Sequence, residues 1–230
     1  MKWLENLLEI FFPFTCHLCK KPSEFGKVIC LRCFEALDKK LSTPFQVTDV
    51  IPSFPIWTMG FYSGVLAEAI KTIKYRPSRK LFRQISELIK KRLREKPFPF
   101  PFQIFVPVPL HSHRELKRGF NQSELIARLL AELPGARFSP ALVRNRSTRP
   151  QAECDERERR DNLKNAFSLS PGLDPECFRG ARICLVDDVA TTGLTLDECG
   201  KSLKNLDPKS IHSFALAHSP RLDRKEFPFD

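Results

Sequence analysis

The stretch that decides the fold is ICLVDDVATTGLT, residues 183–195. An unbroken apolar run ends in Asp187 and Asp188, and small hydroxyl residues with one glycine follow at once. Such a run, bounded by turn residues, reads as a strand buried on both faces. Two adjacent carboxylates repel each other and lose water poorly there, so a purely structural role is costly. The pattern predicts a ligand. Open parallel sheets receive ligands at the carboxyl ends of their strands. A loop of small residues entering a helix offers backbone N–H groups and a positive dipole end, which suit a phosphate. Thr191, Thr192, Gly193 and Thr195 supply hydroxyls and a flexible backbone. Carboxylates accept charge-assisted hydrogen bonds from vicinal hydroxyls. Acids and loop together read as a cradle for a ribose 5-phosphate.

Outward from this stretch, helical and strand periodicities alternate. IWTMGFYSG reads as a strand and turn, and VLAEAIKTIKY and LFRQISELIKKRL carry apolar residues at helical spacing. IFVPVP is a short β-rich run, and Asn121 is placed to cap a helix through SELIARLLAEL. ALVR and AFSL are short candidate strands, ARICLVDDV a buried one, TLDECGKSLKNL a helix and SIHSFALAH a last strand. This alternation predicts an α/β fold with a parallel sheet flanked by helices. LSTPFQVTDVIPSFP reads as a connector, and KPFPFPFQ as a rigid tract that punctuates rather than folds.

With 230 residues, 42% of them hydrophobic, the chain has enough apolar material for one ordinary core and a small appendage. The boundary is expected near residue 50, separating a cysteine module, 1–50, from a body, 51–230. The amino-terminal LLEIFFPF is too short and too interrupted by charge for a transmembrane segment. It also lacks the organisation of a secretory signal, so a cytoplasmic location is expected, with thiols reduced or metal-bound. The net charge of +11 excludes an acidic solvating chain and points to a polyanionic partner: nucleic acid, a phosphorylated metabolite or a membrane surface. Between Lys71 and Lys96, eleven Lys and Arg face only Glu87 and Glu95, a local net of +9. A solvated helix face explains that run as readily as a binding surface does.

Cys16-x2-Cys19 and Cys30-x2-Cys33, ten residues apart, form two knuckles whose four thiolates suit one tetrahedral zinc. A closed four-sulfur site leaves no position for substrate, so the metal is expected to staple a module with little core of its own. A redox dithiol is the rival reading, although such motifs come singly within a βαβ unit. His17 is read as a surface residue. Cys154, Cys177, Cys184 and Cys199 show no pairing pattern.

Segment 183–195 resembles the phosphoribosyl-pyrophosphate (PRPP) motif of type I phosphoribosyltransferases. There, paired acids hold the ribose 2′ and 3′ hydroxyls and the following loop holds the 5′-phosphate. VPVPLHSHRELKRGFNQSELIA, IKYRPSRKL, TRPQAECDERERRDNLKNAF and the double CxxC occur together with it. Jointly they resemble the ComF family, over nearly the whole chain. That resemblance implies a type I phosphoribosyltransferase fold with an amino-terminal zinc ribbon. It implies Asp187 and Asp188 as the catalytic acids, and Val189, Ala190, Thr191, Thr192, Gly193, Leu194 and Thr195 around the phosphate. Pro109, Leu110, Arg114, Lys117 and Arg118 would face pyrophosphate, and Arg146 and Arg149 would sit on a mobile flap. The implied ligands are PRPP with Mg²⁺, and the implied activity is phosphoribosyl transfer to an unidentified nucleophile. The alternative is a single-stranded DNA-binding protein of competence and DNA uptake that acts with other competence proteins and keeps the pocket for regulation. Purine-salvage transferases place a proton-accepting aspartate where this chain has Thr191, which cannot serve as a base at neutral pH.

Overall fold

The computed structural model describes residues 14–24, 27–48, 54–75, 78–111, 115–116, 118–145 and 163–219. In chain order the elements are α1 (Leu31–Lys40), β1 (Phe45–Val47), β2 (Ile56–Thr58), α2 (Gly64–Tyr75), α3 (Arg79–Glu95), β3 (Ile104–Pro107), α4 (Gln122–Leu130), β4 (Arg137–Phe138), β5 (Leu142–Arg144), β6 (Phe167–Leu169), β7 (Arg182–Ala190), α5 (Leu194–Lys204) and β8 (Ser210–His218). The main sheet has the order β1-β2-β8-β7-β3-β4, and every pair in it is parallel except β1 with β2. β5 and β6 form a separate antiparallel pair. The expected mixed α/β architecture with a mostly parallel sheet is therefore present.

Two compact units divide the chain out of sequence order: Met1–Thr43 with Tyr62–Pro97, and Pro44–Phe61 with Phe98–Asp230. In the first unit, α3 buries Leu81, Ile85, Leu88, Ile89 and Leu93 along one stripe and leaves its charges on the other. Arg92 is an exception to that exposure. Its guanidinium donates to the Asp38 carboxylate and carbonyl, each at 2.6 Å, and its Nε donates to the Leu41 carbonyl at 2.7 Å. Lys91 also pairs with Asp38, at 2.9 Å. Two of the eleven cations in the basic run thus tie α3 to α1.

In the second unit, β7 is the central strand. Ile183 lies opposite Ile104 on one side and Ile211 on the other. Because successive side chains alternate, the two sheet faces bury different partners. Ile104, Val106, Ile183, Leu185 and Ile211 join Leu194, Leu196, Cys199 and Leu203 of α5, and Leu142 and Phe167 of the small sheet. The opposite parity carries Trp57, Phe105, His212 and Phe214, and here the Pro-Phe tract does more than punctuate. Phe98, Phe100 and Phe102 stack edge to face on one another and on these residues, with centroids 5.1 to 6.4 Å apart in the pairs Trp57–Phe98, Trp57–Phe100, Phe98–Phe102, Phe98–Phe214, Phe100–Phe102 and Phe102–Phe105. Proline at alternate positions holds the backbone extended, so its phenyl rings cover the sheet without forming a strand.

Two further features were not expected. The connector contains β1, whose Phe45 and Val47 turn inward while Gln46 is exposed, the alternation of an edge strand. At α5, a Cβ on Gly200 would lie 2.4 Å from Cε1 of Phe54, so that ring occupies the space of a missing side chain.

His212 lies against Phe100 and Phe102 at centroid distances of 4.6 and 5.3 Å, and Trp57 Nε1 donates to its Nδ1 at 3.4 Å. Burial, and then the charge of Arg182, hold its pKa below the ordinary value of 6.5. The unfolded chain takes up this proton first on acidification. Stability from the neutral ring is therefore present above the unfolded value of about 6.5 and declines as pH falls toward the lower folded value. Denaturant unfolding of wild type and His212→Gln at pH 7.5 and 5 is expected to show a smaller acid loss in the variant.

Candidate functional site

The acids lie inside the strand, not in the loop beyond it. β7 runs through to Ala190, with Asp187 opposite Ala215 and Val189 opposite Ala217, so the loop is only Thr191, Thr192 and Gly193. Pairing with β3 stops at Val186, and pairing with β8 alone carries the strand past the apolar run to Ala190. Asp188 is 9% exposed, Asp187 and Val189 are half-buried, and Ala190 is buried. Gly193 adopts φ 79°, a left-handed conformation that disfavours a side chain, and stands at the N-cap of α5. Thr192 Oγ1 accepts from Leu194 N at 3.4 Å, and Asp197 N donates to the Gly193 carbonyl at 2.9 Å. Leu194 is buried, Thr195 half-buried and Thr191 exposed. Helix α5 thus starts after a three-residue loop and turns the positive end of its dipole toward that loop.

The carboxylate of Asp187 is held by its surroundings. Its Oδ1 accepts from Ser123 Oγ at 2.9 Å and from the Asp188 N–H at 2.8 Å. Burial pushes the Cys199 thiol on α5 well up, and the Asp187 charge adds to this while Arg144 opposes it. Arg144 ends β5 and lies 5.3 Å from the centroid of the Phe167 ring.

The second part of the site follows β3. Val108 N donates to the Val186 carbonyl at 2.9 Å, extending the ladder by one bond. Pro109 and Leu110 are half-buried beyond it. Glu115 N donates to the His111 carbonyl at 3.0 Å and Gly119 N to the Glu115 carbonyl at 2.7 Å, and Gly119 has φ 79°. The chain returns through Asn121, whose Oδ1 accepts from Ser123 N at 3.0 Å, the expected cap. Its Nδ2 also donates to the Val108 carbonyl at 2.9 Å. Arg118 donates to Gln122 Oε1 at 3.4 Å, while Gln122 Nε2 is buried and finds no partner among the described residues. Arg114, Lys117, Arg146 and Arg149 lie outside the described residues.

The structure therefore gathers Asp187, Asp188, the 189–195 segment and the β3 loop at the carboxyl edge of one sheet. Sequence reading recognised Asn121 as a cap but missed its bond to Val108, and it missed Ser123 and Gln122. The only available signal was three consecutive polar residues, NQS, ahead of an apolar helical pattern.

The first unit holds the four cysteines. Their sulfurs all lie within 4.8 Å of one another, and Cys19 and Cys30 Sγ are 3.7 Å apart. Four ligands at about 2.3 Å around a tetrahedral zinc would be spaced by about 3.8 Å, so the donor set fits a metal ion. Burial raises the Cys16 pKa, but backbone N–H groups of Cys19, Cys30 and Leu18 outweigh it and bring it to about 6. Burial and the neighbouring sulfurs push Cys33 the opposite way. Beside Cys30, a cavity of about 1010 Å³ is lined by Phe14, Ile29, Leu31 and Phe34, with Lys21, Lys27 and Arg32 among its polar residues.

A mostly parallel sheet with paired acids, a short loop and a helix start at its carboxyl edge defines a phosphoribosyltransferase-type domain, and the phosphoribosyl transferase domain family matches residues 122–226. DNA utilization protein YhgH of Salmonella typhimurium is 30% identical over 229 residues, covering 90% of this chain and 98% of its own. Competence protein F of Haemophilus influenzae is 37% identical over 111 residues, 48% of each chain. The protein belongs to the ComF family. Adenine phosphoribosyltransferase from Saccharomyces cerevisiae, a solved structure, covers 81% of this chain and 88% of its own at 15% identity, with a TM-score of 0.38. No helix among the described residues is long and apolar enough to cross a membrane.

Proposed function

We propose that the protein binds PRPP with Mg²⁺ and transfers its phosphoribosyl group to a nucleophile, releasing pyrophosphate. The observation that carries this reading is the succession of Asp187 and Asp188, a left-handed Gly193 and the first turn of α5 at the end of the central strand. The acids accept hydrogen bonds from the ribose 2′ and 3′ hydroxyls. The Val189–Thr195 segment, with Thr191 and Thr195 as hydroxyl donors, receives the 5′-phosphate. Pro109, Leu110, Arg114, Lys117 and Arg118 receive the pyrophosphate, where cations and N–H donors match its charge. Arg146 and Arg149 close over the reacting centre and exclude water.

In the reaction, the C1–oxygen bond to pyrophosphate breaks, C1 bonds to the nucleophile, and the nucleophile's proton leaves to solvent or pyrophosphate. Mg²⁺ would neutralise charge on the leaving group, held mainly by ligand oxygens. Thr191 supplies no base, which favours an acceptor that needs none or a base from elsewhere in the site. Thiolate metal ligands suit a reducing compartment such as the cytoplasm.

A second reading is favoured by the first unit. Its cavity is lined by Phe14, Ile29, Leu31 and Phe34, with Lys21, Lys27 and Arg32 beside Glu24 and Glu87. Arg79, Lys80, Arg83 and Arg94 are exposed on α3 of the same unit. Aromatic surface and cations together suit single-stranded DNA, and two relatives carry names that refer to competence and DNA utilization. In this reading the protein acts with other competence proteins, and the PRPP pocket regulates it.

PRPP with Mg²⁺ at about 100 times its Kd is expected to stabilise the protein by about 2.7 kcal/mol, a melting shift of several degrees. The double variant Asp187→Asn, Asp188→Asn should lose most of that shift, whereas an unshifted wild type would remove the reading. Elemental analysis is expected to find one zinc per chain, and a chelator should lower the melting temperature. Protein prepared under reducing conditions without metal would refute the zinc site. Oligonucleotide binding across a salt series should weaken steeply as salt rises. A flat response would count against the DNA reading.

A further inference from the structure

Ser123 lies in the first turn of α4 and is only 3% exposed. A serine in the first turn has no carbonyl of its own helix four residues earlier to bond, and its ordinary local role is capping. Here the hydroxyl instead crosses to another element and donates to Asp187 Oδ1 at 2.9 Å. Capping does not explain this, because the Asn121 side chain already performs that task by accepting from the Ser123 N–H. The same Oδ1 receives the Asp188 N–H at 2.8 Å, so two donors converge on one carboxylate oxygen. Two donors restrict rotation of the carboxylate about its terminal bond more than one would. They also compensate its charge in a half-buried position.

Asn121 extends the arrangement. Its Nδ2 bond to the Val108 carbonyl, at 2.9 Å, fixes the start of α4 against the end of β3. The path Val108, Asn121, Ser123, Asp187 is thus a chain of side-chain bonds that ties the loop after β3 to the acid on β7. Val108 N is itself bonded to the Val186 carbonyl, so both ends of the path meet adjacent strands of one sheet.

We propose that Ser123 is a positioning residue: it orients the Asp187 carboxylate toward the vicinal hydroxyls of a ribose phosphate, and Asn121 holds Ser123 in register with the β3 loop. This rests on the reading of Asp187 as a ribose ligand given above. Ser123 itself does not touch the sugar, and its effect belongs to the sugar end of the ligand alone.

The test is calorimetric binding of three probes, PRPP with Mg²⁺, ribose 5-phosphate and inorganic pyrophosphate, to wild type, Ser123→Ala, Ser123→Thr and Ser123→Cys, with melting temperatures recorded for each. Ser123→Ala is expected to weaken PRPP and ribose 5-phosphate by on the order of 10-fold and to leave pyrophosphate unchanged. Ser123→Thr restores the hydroxyl and should recover sugar-phosphate binding. Ser123→Cys keeps the volume with a weaker donor and should show the same selective loss, which serves as the measure should the alanine variant not fold. Sugar-phosphate affinity unchanged in Ser123→Ala and Ser123→Cys would overturn the proposal. Equal loss of pyrophosphate affinity would also overturn it, because that outcome marks general disruption. Wild type that binds none of the three probes would defeat the substrate reading, and this role with it.

Discussion

The structure of the second unit depends on keeping two adjacent carboxylates solvated or hydrogen-bonded while the strand that carries them stays at the centre of a sheet. β7 is paired on both sides, and its apolar run is buried on both faces. Desolvated charge is tolerated only where donors or water reach it. Its carboxyl end meets that condition, because pairing with β3 ends at Val186, α5 begins just beyond and α4 brings Ser123 across. Ending β7 at Val186 would leave the acids on a loop without the β8 ladder that fixes them.

Most of this arrangement was legible in the chain itself. The 183–186 run, the alternation of strand and helix patterns and the Asn121 cap each depend on local chemistry, and each appears where its pattern predicts. The Ser123 bond was not legible, because it joins residues 64 positions apart and a serine in a first helical turn has an ordinary local explanation. The Pro-Phe tract failed for a related reason. Proline signals the absence of a strand, and that absence was read as an absence of packing, whereas Phe98 and Phe102 are buried. The connector strand β1 was hidden because three residues show too little alternation to stand out from a Pro- and Thr-containing stretch.

The two units use different means of holding a small structure together. In the first, four sulfurs within 4.8 Å of one another combine with the Arg92 and Asp38 contacts between helices. The charge run between Lys71 and Lys96 is therefore not one surface. Lys91 and Arg92 pair with Asp38 across to α1, Arg92 largely covered and Lys91 at the surface, while Arg79, Lys80, Arg83 and Arg94 face solvent. Composition alone could not separate these, because both groups belong to the same amphipathic helix.

The contact between Phe54 and Gly200 links a residue just ahead of β2 to the middle of α5. The phenyl ring stands where any larger residue on the helix would place its first carbon, so each position limits what the other tolerates. Evolution of this pair should therefore be correlated: a chain that gains bulk on the helix must move or shrink the ring at the strand entrance, and an alanine at 200 becomes acceptable once that ring has turned away or been replaced by a smaller residue.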